Sequence, residues 1–147
     1  SYQTEREPQV RSVIELAIAM GRVVCISDPQ AAAMRDAGML AQRAAGHAPP
    51  PIAPLRLGPG VMLDGVGGEY FPQPWAGDVR LDDLLGEGPW LITREAVTGG
   101  ALAAFAADLK RWLDSRQADA VFIRPDRYVF GVGAPEALED AWAQQVS

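Results

Sequence analysis

Residues 49–54 read Pro-Pro-Pro-Ile-Ala-Pro, and this stretch limits the fold of the 147-residue chain more than any other. Each proline removes a backbone donor and pushes the residue before it toward an extended conformation, so no helix runs through this point. The chain is therefore expected to divide into a helical segment over 1–48, a Pro-rich connector over 49–56 and a sheet-bearing domain over 57–147.

Before the connector, Val10, Val13, Ile14, Ala17 and Ile18 fall at the i, i+3, i+4, i+7, i+8 spacing of an amphipathic helix, expected from Glu5 to Gly21. Pro8 is compatible with such a helix only near its first turn, and Gly21 is a suitable stop. The run Val23-Val24-Cys25-Ile26 extends the apolar surface, which makes Cys25 a buried small hydrophobe rather than a reactive thiolate. Asp28 followed by Pro29 signals a helix start: the aspartate caps free amides, and proline at the first helical position loses no hydrogen bond. A second helix is expected from Pro29 to about Ala45, ending at Gly46.

After the connector, residues 55–77 are rich in glycine and proline, with short apolar pieces at Val61-Met62-Leu63 and Tyr70-Phe71. Loops with one or two short strands are expected there. Leu81 to Gly86 reads as a single helical turn and Trp90 to Thr93 as a buried strand. Gly99 to Arg116 reads as one helix, with Leu102, Phe105, Ala106, Leu109, Trp112 and Leu113 as its apolar stripe. Ala120 to Ile123 and Tyr128 to Val132 are strand-like runs on either side of Arg124-Pro125-Asp126-Arg127, and Pro135 opens a last helix carrying Leu138 and Trp142. The order strand, helix, strand, strand, helix predicts an α/β or α+β sheet domain with helices packed on it.

Composition removes several classes of function. Thirteen basic against nineteen acidic residues give a net charge of -6, the wrong sign for collecting phosphates, so nucleic acid is not expected as a partner. One cysteine and one histidine, Cys25 and His47, complete neither a disulfide nor a zinc set. No apolar run approaches the roughly 20 residues that span a bilayer, so no membrane is expected. The first ten residues are too polar for a signal peptide, which makes the cytoplasm the expected location. The start at Ser1, without an initiator methionine, suggests a piece of a longer protein.

The residues themselves offer little chemistry. Gly58-Pro-Gly60 and Gly65-Val-Gly67-Gly68 lack the spacing of a phosphate cradle and read as turns. Asp82 and Asp83 diverge by about 100 degrees on a helix and do not share a proton. His47 has no nearby nucleophile, and the four tryptophans, Trp75, Trp90, Trp112 and Trp142, favour core packing over a pocket. In the Arg124 to Arg127 cluster, proline suits the second position of a type I turn and aspartate is tolerated at the third, so local physics asks only for a hairpin corner. No catalytic, cofactor-binding or metal-binding residue is assigned.

Two stretches carry a resemblance. Tyr2-Gln-Thr-Glu5-Arg6-Glu-Pro8 before an amphipathic helix resembles the Y-x-x-E-R-x-P segment that closes the FAD-binding body of flavin-dependent aromatic hydroxylases. Leu81 to Gly86, the Trp90 strand and Ala120-Val-Phe-Ile-Arg124-Pro125-Asp126-Arg127-Tyr128-Val resemble the C-terminal domain of the same enzymes, with its R-P-D-G/R-Y/F-V signature. The arginine after the aspartate, followed by a short apolar strand and Ala134-Pro135, is most similar to 3-(3-hydroxyphenyl)propionate hydroxylases.

The resemblance implies a thioredoxin-like C-terminal domain without redox cysteines. Here it is a shortened version, because relatives often carry another strand and helix before the R-P-D hairpin. It also implies a parent enzyme that uses FAD and NADH to hydroxylate a phenolic ring. The family's flavin-binding motifs lie upstream of the Y-x-x-E-R helix, and Gly77-Asp78 lacks the flanking sequence of the Gly-Asp flavin motif. No cofactor is therefore expected in this stretch. The implied role is that of a non-catalytic accessory domain, whose partners are the rest of the parent enzyme and, open to test, a second copy. Tyr2, Glu5, Arg6, Arg124, Pro125, Asp126 and Arg127 are family-signature residues expected to act in structure or at an interface. The alternative is a stand-alone thioredoxin-like interaction or binding module without redox activity.

Overall fold

In a computed structural model, the described residues are 2–48 and 55–145. The proline run at 49–54 lies outside them. Helix α1 spans Tyr2–Val24 and α2 spans Pro29–Ala44. Asp28 caps α2 as its sequence predicts, its side chain accepting a hydrogen bond from the Ala31 N–H at 2.7 Å, with Pro29 opening the helix. Helix α1 is longer than expected. Gly21 does not stop it, because helical geometry is open to glycine at a modest entropic cost. Pro8 lies inside it rather than in its first turn. Proline supplies no N–H to the carbonyl four residues back, that of Thr4, and the loop after the connector closes in beside it: the Gly58 N–H donates to the neighbouring Glu5 carbonyl at 2.7 Å.

The apolar stripe of α1 is left in solvent. Val10, Val13, Ile14 and Ile18 are all exposed, and Glu5 is the one residue of α1 that is buried. Cys25 is likewise exposed, contrary to the buried position its apolar surroundings suggested: at this end of α1 the described contact is a polar one, the Arg35 guanidinium donating to the Val23 carbonyl at 2.6 Å.

The remaining strands and helices are β1 (Trp75–Ala76), β2 (Val79–Arg80), α3 (Leu81–Leu85), β3 (Trp90–Thr93), α4 (Ala106–Ser115), β4 (Ala120–Ile123), β5 (Val129–Gly133) and α5 (Pro135–Gln145). β1 and β2 form a small hairpin, while β3, β4 and β5 form an antiparallel sheet in that order. This mixture of helix and sheet fits the α/β expectation. The apolar run of β4 is buried along its whole length because helices cover both faces of the sheet. Val121 and Ile123 join Ile92, Val129, Val97, Phe105, Leu109 and Leu113 on the α4 side. Ala120 and Phe122 join Phe130 and Leu138 on the α5 side, where Trp142 packs against them. Each large apolar side chain buried in this way contributes about 2 kcal/mol.

Two expectations need correction here. The single helix expected from Gly99 to Arg116 is instead a 3₁₀ turn at Gly100–Phe105 followed by α4, with a further 3₁₀ turn at Ala96–Thr98 just before it. Gly100 sits at φ +59 and no side chain caps the segment, so α-helical pitch starts only at Ala106. In the 55–77 stretch neither expected apolar piece forms a strand. Tyr70 makes an isolated bridge to Tyr128, and the regular strand, β1, falls at Trp75, which is 59% exposed and so outside the core.

Candidate functional site

The first helix and the last hairpin meet at one cluster of side chains. Tyr2, Glu5, Arg6 and Gln9 recur at i, i+3, i+4 and i+7 and therefore share a face of α1. Opposite them, the β4–β5 connection is a tight corner. The Arg127 N–H donates to the Arg124 carbonyl at 2.9 Å, and the Arg124 N–H to the Tyr128 carbonyl at 2.8 Å. Pro125 and Asp126 occupy the two middle positions of the turn, and Arg127 follows at φ +68, the left-handed conformation that a three-residue hairpin loop requires at this place.

The link between the two elements is a buried ion pair. Arg124 Nη2 donates to Glu5 Oε2 at 2.8 Å, with side chains 12% and 6% exposed. The second carboxylate oxygen of Glu5 accepts from the Val61 N–H at 2.7 Å, and Arg124 Nη1 donates to the Val61 carbonyl at 2.9 Å, so both partners also grip the same loop residue. Asp126 accepts from Arg124 Nε at 3.1 Å and from Arg6 Nη2 at 3.0 Å. Arg6 lies over the Tyr128 ring, 4.7 Å from its centroid, and Gln9 Nε2 donates to the Tyr128 hydroxyl. Two carboxylates and two guanidiniums thus offset one another. Burial pushes the Glu5 carboxyl up, but hydrogen bonds from Arg124 and Val61 and the Arg124 charge outweigh it and hold it below its ordinary value.

Gly58 and Gly60 allow the loop to approach this closely. A Cβ on Gly60 would sit 2.0 Å from Glu5 Oε1, and one on Gly58 would sit 2.6 Å from the Thr4 carbonyl oxygen. These glycines, which looked like plain turns in the sequence, are thus close-approach positions.

Arg127 makes a separate attachment. Its guanidinium lies 3.7 Å from the Trp90 ring centroid and donates to the carbonyls of Gly86 and Gly88 at 2.9 and 3.1 Å, with Asp82 at 3.4 Å. Asp83 pairs instead with Arg80 at 2.7 Å, so the two adjacent aspartates do diverge.

The structure therefore gathers Tyr2, Glu5, Arg6, Arg124, Pro125 and Asp126 at one junction and sends Arg127 to the entrance of β3. Sequence reasoning missed Gln9, Val61, Gly58 and Gly60, and held Tyr128 only as part of the signature without a site role. Only Gln9, one helical face on from Tyr2, and Tyr128, directly after the arginine, carried any signal. His47 is exposed and away from the cluster, and among the described residues no group of three His, Cys, Asp or Glu could hold a metal ion. With its charges engaged by one another, the junction can fasten two elements together. It presents no activated nucleophile.

Residues 97–147 match the family model described as the HcaD C-terminal domain. That match includes the Arg124 to Arg127 corner and leaves out Tyr2 to Arg6. The chain is also 30% identical, over an alignment 171 positions long, to a protein of Rhodococcus jostii (strain RHA1) named probable NADH-specific resorcinol 4-hydroxylase. The alignment covers 93% of this chain and 32% of that protein, so the chain spans about a third of the length of the curated relative it matches. No solved structure matches the chain. Among the described residues, no helix is long and apolar enough to cross a membrane.

Proposed function

We propose that this chain is a non-catalytic accessory domain of an FAD- and NADH-dependent monooxygenase that hydroxylates a phenolic substrate, such as 3-(3-hydroxyphenyl)propionate or a dihydroxybenzene. Its task is structural. The junction of Glu5 and Arg124 fastens the start of α1 to the sheet domain, while Val10, Val13, Ile14 and Ile18 further along α1 stay in solvent at 43–53% exposure. A helix anchored by a charged end and bearing an uncovered apolar stripe suits docking on another protein surface. That surface is the rest of the parent enzyme. The order β3, α4, β4, β5, α5 is compatible with a shortened thioredoxin-like arrangement.

The purified chain, given FAD, NADH and 3-(3-hydroxyphenyl)propionate, is expected to emerge from gel filtration without flavin absorbance and to consume no NADH. Retained flavin or NADH turnover overturns the accessory-domain reading.

A further inference from the structure

The β3–β4–β5 sheet has two edges, and a loop is hydrogen-bonded to one of them, at Val129 and Phe130. Along β5, the loop that follows the connector lies against the strand. Leu63 N–H donates to the Phe130 carbonyl at 2.7 Å, Gly68 N–H to the Val129 carbonyl at 2.8 Å, and Val129 N–H to the Glu69 carbonyl at 2.8 Å. Along β3, no backbone hydrogen bond from another segment reaches the outer side of Trp90–Thr93 among the described residues.

The register determines which groups are left over. Arg94 N–H donates to the Asp119 carbonyl at 2.7 Å, one step beyond the Thr93↔Ala120 pair. Ladder bonds in an antiparallel pair alternate. Ile92 and Trp90 are therefore bonded to Val121 and Ile123, and the N–H and C=O groups of Leu91 and Thr93 point away from β4. Within the strand itself the four residues, Trp-Leu-Ile-Thr, include no charge and no proline; Pro89 and Arg94 lie just outside it.

We propose that β3 pairs antiparallel with β3 of a second copy of this chain, the two-fold axis passing at Ile92. In this register Leu91 of each copy faces Thr93 of the other, and each pair exchanges two N–H to C=O bonds. The outward donors and acceptors of both residues are then all used. The pairing is self-complementary, which a two-fold contact requires, and it stops at two copies because a two-fold contact uses the β3 edge of both. The result is one continuous six-stranded sheet. A strand from elsewhere in a longer protein is the competing occupant, but the strand's own register already supplies a matching partner.

The test is sedimentation equilibrium of the 147-residue chain up to about 1 mM, the range in which a weak contact is populated, together with amide exchange at low and high concentration. The expected result is a dimer whose formation slows exchange at Leu91 and Thr93 and leaves Ile92, already bonded to β4, unchanged. Thr93→Pro removes an outward donor without touching the β4 ladder, and it should weaken the dimer roughly ten-fold or more, given that one hydrogen bond is lost per copy. Thr93→Val keeps that donor, loses only the hydroxyl that accepts from the Ala96 N–H, and should dimerise as the unaltered chain does. Should Thr93→Pro fail to fold, isotope-filtered NMR on a mixed labelled and unlabelled sample still reads the contact, as an Ile92 to Ile92 cross-peak between copies. Monomer mass at every concentration overturns the proposal. So does a dimer whose exchange protection falls on α1 and α2, or one that Thr93→Pro leaves intact. These outcomes are independent of flavin retention and NADH turnover, so this inference and the accessory-domain reading fail separately.

Discussion

The Arg124 guanidinium and the Glu5 carboxylate meet at 2.8 Å across 119 residues of sequence, with both side chains nearly excluded from water. Removing one member leaves the other charge buried without its partner, which typically costs about 3 kcal/mol or more. Arg124→Ala and Glu5→Ala should each lower stability by about that amount in urea denaturation. The double variant should lose clearly less than the two losses added together, because no orphaned charge remains. Additive losses would show that the pair is not coupled.

The same pair gives a pH dependence. Despite burial, hydrogen bonds from Arg124 and Val61 lower the Glu5 pKa below its ordinary 4.5. A lowered folded-state value means that the unfolded chain binds the proton more readily, so the stabilisation is complete above pH 4.5 and drains away as pH falls through the folded value. Urea midpoints measured downward from pH 7 should fall less steeply below this point for Glu5→Gln than for the unaltered chain.

Gly60→Ala should destabilise by roughly 1–3 kcal/mol, the usual range for an overpacked site, since the added carbon would lie 2.0 Å from Glu5 Oε1. Combined with Glu5→Ala, which removes that oxygen, the same substitution should cost much less. Equal costs in both backgrounds would place the strain elsewhere.

Arg127 holds a left-handed conformation at φ +68 while stacking on Trp90 and binding two carbonyls. Glycine would relieve about 1 kcal/mol of backbone strain but would lose the cation–π contact and two charge-assisted hydrogen bonds, together worth more. Arg127→Gly should therefore lower the melting temperature and alter the tryptophan fluorescence. A rise in melting temperature would mean that backbone strain dominates.

Cys25 lies in solvent at the end of α1. It should react with a thiol reagent in the folded 147-residue chain at close to the rate in denaturant. Protection in the native chain would mean that the end of α1 is covered, for example by a second copy.

The sequence by itself determined the elements whose causes are local. Asp28 and Pro29 start α2 because capping acts within one turn, and β4 shows as an apolar run because both its faces are covered. The corner at Pro125 and Asp126 follows from the φ of proline and the turn preference of aspartate. Where the local signal is divided, sequence and structure differ: the stripe from Leu102 to Leu113 reads by periodicity as one helix, but with Gly100 at φ +59 ahead of it the chain starts as a 3₁₀ turn and becomes α-helical only at Ala106. Only the tertiary structure decided that Glu5 and Arg124 are partners, that Gly58 and Gly60 make room for them, and that Arg127 reaches Trp90. Periodicity and turn preference act over a few residues, whereas pairing across 119 residues depends on how the whole chain closes. For the same reason the pattern of Val10, Val13, Ile14 and Ile18 showed that α1 has an apolar side, and the packed chain decided that this side remains in water.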